Sequence, residues 1–325
     1  MYQTKSSAAG KSSHHRWRSH RQSTGIATVG GLIRYGAWLL HTTDVCCANG
    51  MQDPFLEAEY LVCHALSIPF EQAERFYRRP VPRRQHQPLL RLLEQRIRRK
   101  VPAAYLTQEA FFAGHRFYVD QRVLIPRSRI ENLFDDEAGL TPWIDPDRVE
   151  TILDVGTGSG CLAITMALAW PQSYVDAVDL SRAALAVAAI NRRQFGLTGR
   201  LRLIHSDLFD ALDGQRYDLM VANPPYVPTA TWQSLPKEYQ HEPALALRAG
   251  EDGLAIIERL LRQAADHLSP HGILICESGD EVEPLIQQRW PELQLEWLPF
   301  HFGASGVFVT SYQWLQQWLA QRSAP

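Results

Sequence analysis

The chain lacks the features that define several large protein classes. Its five cysteines, Cys46, Cys47, Cys63, Cys161 and Cys276, are odd in number and contain no C-x-x-C pair. That usage supports neither a zinc site nor a disulfide framework, and no other ligand cluster is visible, so no metal is expected. It fits a reducing cytoplasm. No apolar run reaches the length of a membrane span. The N-terminus is basic but is followed by no apolar core, so no secretory signal is expected. An excess of one charge is also missing. The 33 Lys and Arg stand against 35 Asp and Glu, a net charge of -2 that names no partner. No segment repeats.

What remains is an ordinary globular composition, 45% hydrophobic and 21% charged over 325 residues, long enough for two domains. Charge is unevenly placed. Residues 1–24 carry Lys5, Lys11, Arg16, Arg18 and Arg21, with His14, His15 and His20 and no acid. This reads as a disordered basic tail, either an aid to holding RNA or an incidental extension. From Arg75 to Lys100, ten basic residues (Arg75, Arg78, Arg79, Arg83, Arg84, Arg91, Arg96, Arg98, Arg99 and Lys100) meet a single acid, Glu94. Such a patch suits nucleic acid or an acidic protein surface; the alternative is the solvated face of a helix.

Residues 25–105 read as a helical domain. Val29, Leu32, Ile33, Trp38, Leu39 and Leu40 recur at helical spacing. Asp53-Pro54 opens a second helix with Phe55, Ala58, Leu61, Val62 and Ala65 on its apolar face, and Leu89 to Ile97 form a third. Residues 106–130 read as a β-hairpin connector, its turn at Ala113-Gly114-His115 between aromatic-rich strands. Residues 131–325 alternate strands with helices, the signature of a parallel sheet. Strands are expected at Thr151–Val155, Tyr174–Val178, Leu201–Ile204, Tyr217–Ala222 and Ile273–Cys276. Helices are expected at Leu162–Ala169 and Arg182–Asn191. Leu295–Phe300 and Val307–Ser311 read as a terminal antiparallel pair.

Two loops carry chemistry. Asp154-Val155-Gly156-Thr157-Gly158-Ser159-Gly160 joins the first of these strands to its helix. Glycines let the backbone turn tightly and approach a ligand, and the helix start offers free N–H groups to an anion. The spacing is G-x-G-x-G, not that of dinucleotide binders, and no Lys-Ser/Thr of a P-loop follows. Asp179 ends the next strand, where a carboxylate can accept both hydroxyls of a ribose. Asp207 follows the third, at the adenine edge of such a site, with Leu208 placed to pack on the base. The second loop is Asn223-Pro224-Pro225-Tyr226, at the carboxyl end of Tyr217–Ala222. A helix cannot run through Asn-Pro-Pro, so the chain turns there. The Asn223 oxygen and the Pro224 carbonyl can accept the two hydrogens of a planar NH2 group, with the Tyr226 ring on its face. An ordinary strand-ending turn is the plainer reading of the four residues alone.

In this order, the strand, the glycine loop, Asp179, Asp207 and Asn223 resemble the class I S-adenosylmethionine-dependent methyltransferases. The resemblance implies a Rossmann-like, mainly parallel seven-stranded α/β sheet that binds S-adenosyl-L-methionine. Gly156, Thr157, Gly158 and Gly160 would serve its methionyl end. Asp154 would orient the loop, Asp179 would hold the ribose, and Asp207 and Leu208 would meet the adenine. Asn-Pro-Pro-Tyr resembles the branch that methylates amino groups of adenine or cytosine, or the amide of glutamine. Val123-Leu124-Ile125-Pro126-Arg127-Ser128, Ala104-Tyr105-Leu106-Thr107, Phe117-Tyr118-Val119-Asp120, the segment Leu235 to Pro243 and Ala249-Gly250-Glu251-Asp252-Gly253-Leu254 resemble protein glutamine methyltransferases, in the ribosomal-protein branch.

The likeness runs from about Thr28 to the last strands. Two places depart from it: Arg129 stands where the family has proline, and Asn132-Leu133-Phe134 replaces a small, aliphatic run. The resemblance implies a large-subunit ribosomal protein as substrate, a role in ribosome assembly, and catalysis by Asn223, Pro224 and Tyr226 with Pro225 beside them; for such a substrate the basic patch Arg75 to Lys100 would suit contact with ribosomal RNA. His241 and Glu242 would help close the site or serve structure alone; Trp232 and Tyr239 would shape the loop above it. Rival expectations are a release-factor glutamine methyltransferase, a DNA amino-methyltransferase, and a non-catalytic scaffold for ribosome assembly.

Overall fold

A computed structural model describes residues 27–47, 51, 53–135, 140, 142–298 and 306–323. The basic tail and the end of the Leu295–Phe300 segment lie outside these residues. The described chain divides into two compact units, one reaching from residue 27 to Arg99 and one from Lys100 onward.

In the first unit, the helix Val29–Thr42 starts where the Thr28 hydroxyl accepts from the Gly31 amide at 3.2 Å. The helix Pro54–Leu66 starts where the Asp53 carboxylate accepts from Phe55 and Leu56 at 2.7 and 3.0 Å. Each cap satisfies amides that the helix itself leaves unbonded, and proline at the first position has no amide to satisfy. A third helix, Arg83–Arg99, buries Leu89 and Leu93. Two expected core residues are corrected. Trp38 is 42% exposed and stacks on Tyr35, and Phe55 is 39% exposed. At about 100° per residue, Trp38 lies past the edge of the stripe that Leu32, Gly36, Leu39 and Leu40 bury.

The basic run is corrected at one position. Arg96 is only 1% exposed. Its Nε donates to Glu57 at 2.6 Å and its Nη2 donates to the Cys46 carbonyl at 2.6 Å, so it belongs to the core. Arg75, Arg78, Arg79, Arg83, Arg84, Arg91, Arg98 and Arg99 remain exposed.

The second unit begins with a hairpin, β1 (Glu109–Phe112) and β2 (His115–Tyr118). Its turn is the pair Ala113-Gly114, both left-handed at φ +46° and +71°, and His115 already lies in β2. A two-residue turn of that hand matches the twist of paired strands. The remaining strands, β3 (Thr151–Val155), β4 (Tyr174–Asp179), β5 (Leu201–His205), β6 (Tyr217–Ala222), β7 (Leu268–Glu277), β8 (Glu296–Trp297) and β9 (Val307–Ser311), form one sheet in the order β5-β4-β3-β6-β7-β9-β8. The first five of these are parallel to one another; β9 is antiparallel to β7 and to β8. β7 starts earlier than the apolar run Ile273–Cys276 because it crosses Pro270 beside a register shift, and a local signal stops at such a proline.

β6 is buried along its whole length. Leu219 and Val221 enter one core and Met220 and Ala222 the other, the two-residue alternation of a strand covered on both faces. The chain adds β4 and β5 on one side of β3, then returns to add β6 on the other. The strand order therefore reverses between β3 and β6, and a crevice opens at their carboxyl ends. The carboxamide of Asn191, fully buried in the helix Arg182–Gln194, fastens the hairpin here. It accepts from the Tyr118 amide at 2.8 Å and donates to the carbonyls of Tyr118 and Ser159. Among the described residues no helix is long and apolar enough to cross a membrane.

Removing one partner of a buried ion pair leaves the other charge uncompensated. Arg96→Ala should therefore lower stability by about 3–5 kcal/mol, whereas Arg98→Ala, at the exposed pair with Glu94, should cost under about 1 kcal/mol. Urea denaturation of both variants checks this; equal losses would remove Arg96 from the core.

Candidate active site

The crevice is built from what each strand carries at its carboxyl end. After β3 the loop turns through Gly156, Gly158 and Gly160, at φ +78°, +55° and +82°. Side chains strongly disfavour that region. Nothing lies within 4 Å of where a Gly158 Cβ would sit, so its backbone faces open space. The Asp179 carboxylate holds the loop by accepting from the Gly158 amide at 2.8 Å, while its other oxygen accepts from Ser181 at 2.7 Å. Burial raises the Asp179 pKa above the usual carboxylate range, with those two amides opposing the rise.

Asp154 lies beneath the loop, wholly buried. One oxygen accepts from the Thr157 hydroxyl at 2.6 Å and the Ala163 amide at 3.1 Å; the other has no partner among the described residues. Its carboxyl thus ties the glycine turn to the first turn of the helix Cys161–Ala169. Burial pushes its pKa up to about 7, and the two hydrogen bonds offset only part of that.

Gly156, Gly158, Asp179, Asp207, Leu208, Asn223, Pro224 and Pro225 all line one cleft. Asp154, Thr157, Gly160 and Tyr226 lie outside that lining. Asp207 pairs with Arg259 at 3.1 Å, and Leu208 is held in the left-handed region at φ +48°, a conformation that costs of order 1 kcal/mol. The Asn223 carboxamide is engaged by no hydrogen bond among the described residues. The Tyr226 hydroxyl donates to Glu277 at 3.1 Å, and burial followed by the Glu277 charge raises its pKa further.

The sequence did not reveal the cleft's other walls. Arg122, Val123 and Leu124 come from the connector, and Leu245 and Ala246 from the segment after Glu242. Buried Glu242 joins the two, accepting from the Ile125 amide at 3.0 Å and from Arg127 at 2.9 and 3.0 Å. That is the structural role for Glu242. Arg127 also lies over the Tyr239 ring at 5.3 Å, and Arg248 over Trp232 at 5.0 Å. Glu277 was missed too, although it is an acid closing an apolar strand, the signal that exposes Asp179.

The donor set fits S-adenosylmethionine. Asp179 offers free lone pairs to a diol, Leu180 (48% exposed), Leu208 and Ile256 offer apolar surface to a flat base, and Asp207 offers an acceptor beyond them. The reacting end is neutral, closed by a free carboxamide and a proline carbonyl.

Residues 139–236 match the family model of the methyltransferase small domain, and residues 37–107 match the PrmC N-terminal domain. With the sheet order and the cleft, this defines an S-adenosylmethionine-dependent methyltransferase. The ribosomal protein uL3 glutamine methyltransferase of Burkholderia pseudomallei is 43% identical over 294 residues, covering 88% of this chain and 95% of that protein. Those of Bordetella pertussis and Xanthomonas campestris are 45% and 42% identical, each covering 91% of the relative and, respectively, 84% and 87% of this chain. The chain belongs to the ribosomal protein uL3 glutamine methyltransferase family.

Asp154 gives this site a pH signature. Unfolded, the carboxyl ionises near about 4; folded, it does so at about 7. The native state then holds the extra proton between those values. That stabilisation is fully present below about pH 4 and is lost as pH rises through about 7. Asp154→Asn is neutral throughout, so its melting temperature should gain on wild type from about pH 5 to about pH 8. A difference independent of pH would mean the carboxyl titrates normally.

Proposed function

We propose that this protein methylates the side-chain amide nitrogen of a glutamine in ribosomal protein uL3, in the cytoplasm and during assembly of the large subunit. The observation that carries the reading is the Asn223 carboxamide. It is free of internal partners, at the cleft wall beside the glycine loop. The names of the similar proteins support the same substrate.

An amide nitrogen is a poor nucleophile because its lone pair is delocalised into the carbonyl. In our reading, Asn223 Oδ1 and the Pro224 carbonyl accept its two N–H bonds, fix its direction and increase its charge, while the Tyr226 ring packs on the amide plane beside Pro225. Bound S-adenosylmethionine supplies an electrophilic methyl group. Alignment in a water-poor cleft lowers the barrier, and the proton leaves after transfer, when the nitrogen is strongly acidic, so no dedicated base is needed. Gly156, Thr157, Gly158 and Gly160 serve the methionyl end, with Asp154 bracing them. Asp179 takes the ribose, and Asp207 and Leu208 the adenine. The helical unit recognises the substrate, the hairpin links it to the methyltransferase domain, and the exposed arginines between Arg75 and Arg99 dock ribosomal RNA.

Asn223→Ala should lower turnover at least about 100-fold while S-adenosylmethionine affinity stays within about threefold. Intact-mass analysis of uL3 and equilibrium dialysis of the cofactor measure the two. Undiminished methylation would remove the role given to Asn223, and a methyl gain on release factor instead of uL3 would overturn the substrate. Reversing Arg78, Arg79, Arg83 and Arg84 to Glu should weaken docking to a ribosomal RNA–uL3 particle and flatten its salt dependence, with cofactor affinity unchanged; equal rates on that particle would end the docking reading.

A further inference from the structure

Glu277 closes β7 outside the cleft lining, 5% exposed, and the reaction as proposed gives it no task. Its carboxylate is nevertheless the meeting point of three donors. Oε2 accepts from the Ser128 hydroxyl at 2.6 Å and the Arg129 amide at 3.0 Å; Oε1 accepts from the Tyr226 hydroxyl at 3.1 Å. A carboxylate removed from water is disfavoured unless donors surround it, so these bonds hold one another in place. Tyr226 is confined from other sides as well. A Cβ on Gly279 would stand 2.8 and 2.9 Å from two ring carbons, and one on Gly253 would stand 2.4 Å from the Tyr226 carbonyl oxygen. Only glycine admits the tyrosine at both places.

We propose that Glu277 is the positioning residue for Tyr226, and that connector residues Ser128 and Arg129 set Glu277 in turn. The proposal rests on reading Asn223 to Tyr226 as the amide-binding end of the site. Its consequence is that the Tyr226 hydroxyl is committed to Glu277, leaving the ring face as what the residue offers. Tyr226 then neither takes nor gives a proton during transfer, and the upward shift of its pKa agrees.

The Arg129 amide, one of the three donors to Glu277, gives the proposal a backbone test. A proline at this position would have no amide hydrogen and could not donate to Glu277. The backbone would still accept it. Ser128 is extended at φ -67° and ψ 134°, as a residue before proline must be, and residue 129 opens a short 3-10 turn, where proline is favoured. Arg129→Pro therefore deletes one donor with little change of path. It also removes the ion pair with Asp280; Arg129→Ala removes that pair and keeps the amide.

The test uses the full-length protein labelled with 3-fluorotyrosine, with and without S-adenosylmethionine. The fluorine resonance of Tyr226 is identified by its loss in Tyr226→Phe. It should move in Glu277→Gln, and further in Arg129→Pro than in Arg129→Ala, which removes the same guanidinium charge but keeps the amide. With uL3 as substrate, kcat should fall at least about tenfold in Glu277→Gln, with KM and cofactor affinity within about twofold. The double variant Tyr226→Phe/Glu277→Gln should be no slower than the slower single one, because both break the same contact. A Tyr226 resonance indifferent to Glu277→Gln, or losses that multiply in the double variant, would overturn the proposal. Should Glu277→Gln fail to fold, Arg129→Pro against Arg129→Ala decides the same point. Should wild type leave uL3 unmethylated, the glutamine reading fails, and the resonance still decides whether Glu277 positions Tyr226.

Discussion

The parallel pairing of β3 with β6 is the constraint on which the rest of the site depends. Asp154 lies beside Val221 and Val155 beside Ala222 in that ladder. The register delivers the glycine loop and Asn223 to the same edge of the sheet, one residue beyond the paired ends. Because the strand order reverses here, no crossover helix covers the gap. β6 is buried on both faces, so slipping it by one residue would exchange its two apolar sets and move Asn223 away from the loop. The energy that fixes the chemistry is thus the hydrophobic burial of Tyr217, Leu219, Met220, Val221 and Ala222, not any contact in the cleft.

Around that register, buried and half-buried carboxyl groups do the joining. Asp154 binds the glycine turn to its helix, Asp179 holds the turn from the next strand, Glu242 ties the connector to the segment after Tyr239, and Glu277 ties it to Tyr226. An acid in a water-poor setting is stable only where N–H or O–H groups converge on it. Each therefore fixes several backbone segments at once, and the neutral donors and acceptors of Asn223 and Pro224 are left to the substrate.

The sequence made the architecture legible where the signal is local. The helix start at Asp53-Pro54, the apolar strands, the glycine turn after β3 and the break at Asn223-Pro224 all act within a few residues. Asp179 and Asp207 were visible as acids at strand ends. Errors fell where a local pattern has two meanings. Arg96 looked like one more charge in a basic run, and Trp38 and Phe55 looked like core because apolar spacing does not mark the edge of a helix face.

By itself, the sequence determined the order of elements, the loops that end them and the residue types available for amide-methyl chemistry, because turn chemistry and periodicity are properties of neighbouring residues. The tertiary structure alone decided which distant residues meet. Arg127 reaches Glu242 across 115 positions and Ser128 reaches Glu277 across 149. No local preference records such pairs; they exist only once the sheet has brought its strand ends together and excluded the water that would otherwise have satisfied both partners.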